Sequence, residues 1–205
     1  MIPYASRTGT RRNLEALRAH GWRLLVSAAS DLRAEGFRYG LDNGAWSAFT
    51  HGRPFSETDF SRALRKLGRG ADWVVIPDVV AGGLASLELS LRWMRATLDE
   101  TERGLLAVQD GMTLADVRPF VGPRVGLFVG GSTEWKLGTL PSWAALGREL
   151  GAWVHVGRVN TARRIHLCGL AGATSFDGTS ASRFSKNVPR LTNATRQLAF
   201  GGLLG

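Results

Sequence analysis

Short apolar runs recur along this chain, and most of them end on a polar residue just before a helical segment begins. Residues 71–78 are almost uninterruptedly apolar and stop at Asp78, and the same order returns at 105–111 and 125–133. Apolar runs that do not alternate with polar residues, and that are separated by helices, are typical of parallel strands buried on both faces. The pattern therefore favours an α/β fold built on a parallel sheet.

The number of these runs narrows the choice of fold. Eight strand candidates lie in the segments 2–5, 22–27, 39–46, 71–78, 105–111, 125–133, 153–160 and 173–182. Helices are predicted at 56–67, 84–98, 114–120, 140–150 and 161–170, with a first helix around Leu14 and Leu17 and a closing helix at 188–200. We predict a compact (β/α)8 barrel in a single domain, residues 1–205, near the lower size limit of that fold. A doubly wound sheet is the alternative, although no glycine-rich dinucleotide-binding motif follows the first strand.

Charge is the most informative part of the composition. Lys and Arg total 26 against 17 for Asp and Glu, which gives a net charge of +9. In a domain of this size such an excess favours a polyanionic partner, and nucleic acid before a membrane, because no basic amphipathic helix stands apart from the fold. The alternative explanation of the many Arg residues is a genome rich in G and C, which encodes Arg where other genomes encode Lys. Such a bias would raise the Arg content but would not raise the net charge as far as +9.

Other features limit the setting in which the protein works. No apolar run approaches the ~20 residues that cross a bilayer. Residues 1–7 lack the apolar segment of a secretory signal, so we expect a cytoplasmic protein with no membrane partner. The single cysteine, Cys168, excludes an internal disulfide and a thiol-based zinc site, and we expect it in the core.

The polar residues that end the strands form the candidate site. In a barrel of parallel strands, all the C-terminal strand ends open onto one face, where active sites are found. The residues predicted at this face are Asp42, Asn43, Asp78, Gln109, Asp110, Gly130, Gly131, Arg158 and Asp177. Carboxylates gathered in one opening raise one another's pKa, and such crowding is typical of functional sites.

Asp177 occupies the most distinctive of these positions. The segment 173–182 brings this carboxylate from a short apolar run into a turn of Gly, Thr and Ser, and a basic helix with Arg183 and Lys186 is predicted to follow. That setting suits chemistry on an anionic substrate. The alternative is that Asp177 only caps the helix after it, because Asp is a common N-cap residue.

Three chemistries are compatible with such an opening. Metal-assisted hydrolysis would use Asp42, Asp78 and Asp177 as ligands, but the four histidines lack paired ligand spacing. Phosphate binding by the glycine-containing loops is general to barrels. The third is cleavage of a glycosidic bond by two carboxylates, one stabilising the sugar and the other moving protons.

Glycosidic cleavage also gives the remaining polar residues a task. Gln109, Asp78 and the backbone of 130–131 would bind the edge of a nucleobase, and Trp46 or Trp135 would stack on it.

Several of these segments, taken in order, carry a resemblance to a known family. They are LDNGAW at 41–46, PD at 77–78, VQDG at 108–111, FVGGS at 128–132 and SFDGT at 175–179. Together they resemble the tRNA-guanine transglycosylase superfamily, and most closely its short DNA-acting branch associated with phages and defence, which includes DNA 7-deazaguanine transglycosylases. The match runs in the right order through nearly the whole chain.

The resemblance implies a barrel in which Asp177 attacks C1′ of a flipped nucleotide and displaces the base, with Asp42 as general acid or base. The residues implied to bind the base are Asn43, Trp46, Asp78, Gln109, Gly130 and Gly131. The implied partners are DNA and, for base exchange, a free 7-deazaguanine base, with no cofactor and no metal. The tRNA enzymes of the superfamily carry a Cys/His zinc site after the nucleophile strand, and this chain lacks those cysteines, which argues against a tRNA substrate.

Basic residues after the last two strands complete the predicted site. Arg158, Arg163, Arg164, Arg183 and Lys186 are predicted to bind the phosphates that flank the flipped nucleotide. Each of them would otherwise be an ordinary surface charge.

The fate of the sugar after base removal stays open at this point. A second base would give exchange and install a modification, whereas water would give a DNA glycosylase that leaves an abasic site, a defence against phage genomes with modified bases. A basic barrel that binds nucleic acid without catalysis and an enzyme of sugar-phosphate metabolism are the further alternatives.

Overall fold

The described part of the chain folds as a closed barrel of parallel strands surrounded by helices. The computed structural model describes residues 1–8 and 10–201, with side chains up to residue 196. The strands are β1 (Ile2–Ser6), β2 (Arg23–Ser27), β3 (Tyr39–Asp42), β4 (Val74–Val75), β5 (Gly104–Val108), β6 (Val125–Val129), β7 (Val154–Val156) and β8 (Ser175–Gly178). They pair in sequence order, and β8 pairs with β1 to close the barrel. The predicted (β/α)8 barrel is confirmed.

The helices alternate with the strands, except that β2 and β3 are joined by an irregular link. They are α1 (Arg11–Ala19), α2 (Ala45–Thr50), α3 (Glu57–Leu67), α4 (Leu84–Glu100), α5 (Leu114–Val117), α6 (Thr133–Glu149), α7 (Ala162–Ala171), α8 (Ser180–Arg183) and α9 (Val188–Gly201). Within the described residues, none of them is long and apolar enough to cross a membrane. Cys168 is buried on α7, as expected.

Two helix predictions were wrong in their bounds. The helix predicted at 140–150 begins at Thr133, because Ser132 caps it by accepting a hydrogen bond from the Trp135 backbone N–H and Pro141 is accommodated inside it. The single basic helix predicted after Asp177 is divided: α8 ends at Arg183, and Lys186 lies in a separate short 3-10 turn. The break falls at Phe184, whose backbone is extended.

Large rings fill the barrel interior, and glycines make room for them. The ring of His155 lies 4.5 Å from that of Trp73, 5.0 Å from Phe128 and 5.7 Å from Tyr4, measured between centroids. A Cβ at Gly40 would come within 2.5 Å of the Trp73 ring. Side chains two residues apart on a strand point to the same side, which is why alternate strand positions carry this layer.

A buried acid closes the end of the barrel opposite the strand C-termini. The Asp72 side chain accepts hydrogen bonds from the Tyr4 hydroxyl at 2.8 Å, from Arg23 at 3.0 Å and from Arg38 at 2.6 Å. Two cations and a hydroxyl offset the cost of burying this carboxylate. The other end of the barrel is therefore the one left open.

The fit of Trp73 against Gly40 makes a stability prediction. Gly40→Ala is expected to destabilise the fold by about 1–3 kcal/mol, the usual cost of overpacking a core. Urea unfolding of Gly40→Ala and of the control Gly122→Ala, whose new Cβ meets nothing within 4 Å, measures the difference. Equal midpoints for the two variants would contradict the packing described here.

Candidate active site

The open end of the barrel holds a cavity of about 880 Å³. That volume lies in the range of ~300–1,000 Å³ typical of small-molecule sites. Of the predicted site residues, those lining it are Asp42, Asn43, Trp46, Asp78, Gln109, Asp110, Gly130, Gly131, Arg158, Asp177 and Arg183. Residues far apart in the chain, from β3 to β8, are therefore brought to one opening, as the barrel prediction requires.

Asp177 is buried at the end of β8 and is held by two N–H groups. His155 Nε2 lies 3.0 Å from Asp177 Oδ1, and the backbone N–H of Arg158 donates to the same oxygen at 3.3 Å. Asp177 is only 4% exposed and lines the cavity. Among the described residues no hydrogen bond reaches Oδ2, so this oxygen is the one available to a ligand.

Asp177 does not cap the helix that follows it. The backbone N–H groups of Thr179 and Ser180 donate to Asn160 Oδ1, at 2.8 and 3.1 Å. Asn160 comes from the connection between β7 and α7, so the cap is supplied by a neighbouring strand end. The capping interpretation of Asp177 is wrong, and its carboxylate needs another explanation.

A chain of hydrogen bonds below Asp177 was missed in the sequence. The Trp153 indole Nε1 donates to Ser175 Oγ at 2.7 Å, and Ser175 Oγ lies 2.8 Å from His155 Nδ1. His155 in turn contacts Asp177. The signal was present in the sequence as a spacing of two residues, between Trp153 and His155 at β7 and between Ser175 and Asp177 on β8. Side chains two residues apart on a strand point to the same side, so all four point into the barrel.

The chemistry of these donors assigns the tautomer of His155. A carboxylate oxygen can only accept, so His155 Nε2 carries the ring proton and donates it to Asp177 Oδ1. Nδ1 of the neutral ring then accepts from Ser175 Oγ, which itself accepts from the Trp153 indole N–H. Burial lowers the pKa of His155, which favours the neutral ring against the ion pair that a charged His155 would form with Asp177. A neutral His155 leaves the negative charge of the Asp177 carboxylate uncancelled.

Asp42 stands in a different environment at the end of β3. Its Oδ1 accepts a hydrogen bond from the backbone N–H of Gly44 at 2.9 Å, in a turn where Gly44 has φ 87°. Burial, with smaller contributions from the charges of Asp177 and Asp78, raises the pKa of Asp42 to about 6 against the lowering effect of the Gly44 N–H. Asp42 therefore keeps a proton up to a higher pH than an ordinary Asp side chain does.

The predicted base-binding residues form one side of the cavity. Asn43 Nδ2 donates to Asp78 Oδ1 at 2.7 Å and to the Ile76 carbonyl at 3.0 Å, and Asn43 Oδ1 accepts from the Ala45 N–H. Both ends of the Asn43 amide are therefore engaged within the protein, and its Nδ2 positions Asp78. Burial raises the pKa of Asp78.

Gln109 and the glycines lie on the same side of the cavity as Asp78. Gln109 Nε2 donates to the Val79 carbonyl at 2.8 Å, so Oε1 of the same side chain points away from Val79. The Gly130 N–H donates to the Val108 carbonyl, and a Cβ at Gly131 would overlap Asp110. Gly131 therefore shapes the wall of the cavity through its close approach to Asp110.

Arg158 and Trp46 meet across the opening. They follow β7 and β3, strands on opposite sides of the barrel, yet the Arg158 guanidinium lies 4.0 Å from the centroid of the Trp46 ring. Arg158 has φ 59°, a left-handed conformation that costs a non-glycine residue about 1–3 kcal/mol. Its guanidinium also donates to the Gly131 carbonyl. Trp135, the other aromatic residue considered for stacking, packs against Trp143 and does not line the cavity.

The predicted phosphate-binding residues divide into two groups. Arg158 and Arg183 line the cavity, whereas Arg163, Arg164 and Lys186 do not. Arg163 and Arg164 lie on α7, outside the barrel wall.

The sequence prediction missed two further cations. Arg7, just after β1, lines the cavity and is held by Glu35 at 2.7 Å. Lys136 on α6 is 3% exposed, and its Nζ donates to the Gly157 carbonyl behind β7. Burial lowers the pKa of Lys136 to about 8. A single Lys in a predicted helix gives no signal of such burial in the sequence.

A metal site built from the carboxylates is not supported by their arrangement. Within residues 1–8 and 10–196, no three His, Cys, Asp or Glu side chains come together in a cluster that could hold a metal ion. Asp42, Asp78 and Asp177 line one cavity but do not converge on one point.

The comparisons with known proteins identify the class of fold. No protein-family model and no curated protein matches the chain. One similar solved structure, described as "Native KDPGal structure", has a TM-score of 0.58 at 11% identity and covers 97% of this chain and 96% of its own. Another, a glycosyl hydrolase of the GH3 family from Mycobacterium smegmatis, has a TM-score of 0.63 at 14% identity and covers 100% of this chain and 89% of its own. At these identities the likeness shows the fold alone, a TIM barrel.

The tautomer of His155 is directly measurable. We expect ¹⁵N NMR to show the proton of His155 on Nε2 and a ring whose pKa lies below that of an ordinary histidine, because burial lowers it. The variant His155→Gln identifies the resonance among the four histidines. A proton on Nδ1, or a ring that becomes charged at or above the ordinary histidine pKa of about 6.5, would contradict the assigned hydrogen-bond chain.

Proposed function

We propose that this protein is a DNA-acting enzyme that cleaves the N-glycosidic bond of a flipped nucleotide. The observation that carries the proposal is the pair Asp177 and Asp42, which line one cavity in unlike environments. Asp177 is a carboxylate supported on one oxygen, and the pKa of Asp42 is raised to about 6 by burial. Glycosidic cleavage needs such a pair, one group for the sugar and one for the proton.

In the first step the base departs from C1′. The C1′–N bond breaks with its electron pair passing to the base, and Asp42 gives its proton to that base. Positive charge develops on the sugar, and Asp177 Oδ2 stabilises this charge and forms a bond to C1′. A carboxylate in a site of low dielectric is worth far more to this charge than one in water.

In the second step the sugar is released from Asp177. Water or an incoming base attacks C1′, the Asp42 carboxylate takes the proton of the attacking group, and the bond to Asp177 breaks with its electrons returning to Asp177. Water gives hydrolysis and an abasic site, whereas a 7-deazaguanine base gives exchange. Both outcomes use the same residues in the same roles.

The distribution of charge around the opening supports a nucleotide as substrate. Asp78 and Gln109, which follow β4 and β5, offer carboxyl and amide groups to the edge of a base. Arg158, Arg183 and Arg7 follow β7, β8 and β1 and line the other side, which suits phosphates. We propose that a nucleotide lies between these two sides with its C1′ next to Asp177 and Asp42, which line the same cavity.

The resemblance to the DNA-acting transglycosylases and the net charge of +9 support DNA as the partner. We propose the DNA 7-deazaguanine transglycosylases, or DNA glycosylases that remove modified bases in phage defence, as the closest functional class.

The proposal is tested by replacing each carboxylate. Asp177→Asn and Asp42→Asn are each expected to slow base release by about 10²–10⁴-fold, because each loses a group that acts only in the transition state. Ordinary DNA and DNA containing 7-deazaguanine bases, each with and without free 7-deazaguanine, are incubated with the protein, and mass spectrometry scores released bases, incorporated bases and abasic sites. Asp99→Asn, an exposed change on α4, is the control and retains full activity. Base release by Asp177→Asn at the wild-type rate, or no base release from any of these DNAs, would contradict the proposal.

The pH dependence of base release reports on Asp42. Because Asp42 must be protonated to act as acid and its pKa is about 6, the single-turnover rate should be level below that pH. Above it the rate is expected to fall about tenfold per pH unit. A rate that stays constant from acid to pH 8 would show that Asp42 is not the acid.

A further inference from the structure

Exposed apolar side chains gather around the opening of the barrel. Trp46 is 43% exposed and Phe49 54%, both on α2, which follows β3 directly. Phe184, 55% exposed, follows β8 and α8. Val79 and Leu84, in and after the connection that leaves β4, are also exposed. Exposed apolar groups concentrated at one face of a protein mark an interaction surface.

The two aromatic side chains of α2 form a continuous surface. The Trp46 and Phe49 rings are tilted by 31° with their centroids 5.8 Å apart, and both residues line the cavity. We call this surface the aromatic rim. Both rings line the cavity and are also about half exposed to solvent. A ligand that is larger than the cavity would therefore contact them where it leaves the opening.

Cations accompany the aromatic rim. The Arg158 guanidinium lies over the Trp46 ring, and the exposed Arg183 lines the same cavity from β8. Aromatic rings beside cations are the usual composition of surfaces that bind single-stranded nucleic acid, because bases stack on the rings while phosphates meet the charges. A second copy of this chain would bring the same positive charges against each other, which disfavours self-association through this face.

The described connections at this face contain no β-hairpin that could enter a duplex. Those leaving β6 and β7 are 130–132 and 157–161, and the longer 76–83 leaves β4. The short helix in the connection that leaves β3 is α2, which carries the aromatic rim itself. Extracting a base from a duplex costs a few kcal/mol of stacking and pairing, and least for a nucleotide that is already unpaired.

We infer that the aromatic rim stacks an unpaired base next to the target nucleotide, so that the preferred substrate is single-stranded DNA. The inference rests on the proposed function and names its substrate class. Target and neighbour then occupy one continuous surface: the target nucleotide between Asp177 and Asp42, and the neighbouring base on Trp46 and Phe49.

Binding tests the inference independently of turnover. A fluorescein-labelled 15-nucleotide DNA of mixed sequence and its duplex are titrated by anisotropy with the wild-type protein and with Asp177→Asn. We expect the single strand to bind at least tenfold more tightly than the duplex. Trp46→Ala and Phe49→Ala are each expected to weaken single-strand binding by about 5- to 150-fold, the range that base–aromatic stacking contributes.

Matched controls separate stacking from general loss of apolar surface. Leu167→Ala and Leu170→Ala remove exposed apolar side chains from α7, and Leu170 lies near the end of α7 away from the opening. Both controls should bind as the wild type does. Trp46→Phe keeps an aromatic ring and should restore most of the affinity, and thermal unfolding confirms that each variant is folded.

Three results would overturn the inference. They are duplex binding as tight as single-strand binding, a Trp46→Ala variant within twofold of the wild type, and a wild-type dimer in solution that Trp46→Ala dissociates. Failure of the proposed function is distinguishable: single-strand binding through the aromatic rim without any base release leaves the inference in place and removes the enzyme. Base release from the duplex alone would support the proposed enzyme and overturn the inference.

Discussion

The hydrogen bond between His155 and Asp177 is the interaction on which the proposed chemistry depends. It places a carboxylate at the top of a barrel whose interior is filled by the rings of Tyr4, Trp73 and Phe128. An unsupported carboxylate in such surroundings would be costly, so a donor must accompany it. His155 provides that donor without its own charge, since Nδ1 accepts from Ser175, whose hydroxyl oxygen in turn accepts from Trp153. The aromatic layer and the polar opening are thus joined by one column of hydrogen bonds.

The same barrel treats its second carboxylate differently. Asp42 accepts a backbone N–H, and burial together with the charges of Asp177 and Asp78 raises its pKa to about 6, so it binds a proton more readily than an ordinary Asp. Unlike environments for like groups are a general means by which proteins separate acid and base roles. Around this pair the cations of β7, β8 and β1 face the carboxyl and amide groups of β4 and β5. The opening therefore has carboxyl and amide groups on one side and positive charges on the other. A nucleotide has a matching order of groups, with its base at one end and its phosphate at the other.

Much of the fold follows from the sequence because buried parallel strands have a distinctive composition. Unbroken apolar runs such as 71–78 located the strands, and the barrel then brought Asp42 and Asp177 to one cavity. Helix bounds were less predictable: Gly138 and Pro141 resemble helix breakers, but the cap at Ser132 and the burial of Lys136, Leu140 and Trp143 keep α6 continuous. His155 escaped notice because a histidine in a strand has no meaning until its neighbours on the next strand are known. Arg163, Arg164 and Lys186 were placed at the rim by chain position alone, which does not determine the direction in which a helical side chain points.

The protonation of Asp42 is directly measurable in solution. Carboxyl ¹³C NMR of the protein, with Asp42→Asn used to assign the resonance, follows this side chain through pH. We expect a pKa of about 6 for Asp42, and a lower value in Asp177→Asn, because removing the neighbouring charge makes ionisation of Asp42 easier. An Asp42 that titrates near the ordinary value of about 3.9, or that does not respond to the loss of Asp177, would contradict the claim that the two carboxylates share one site in different protonation states.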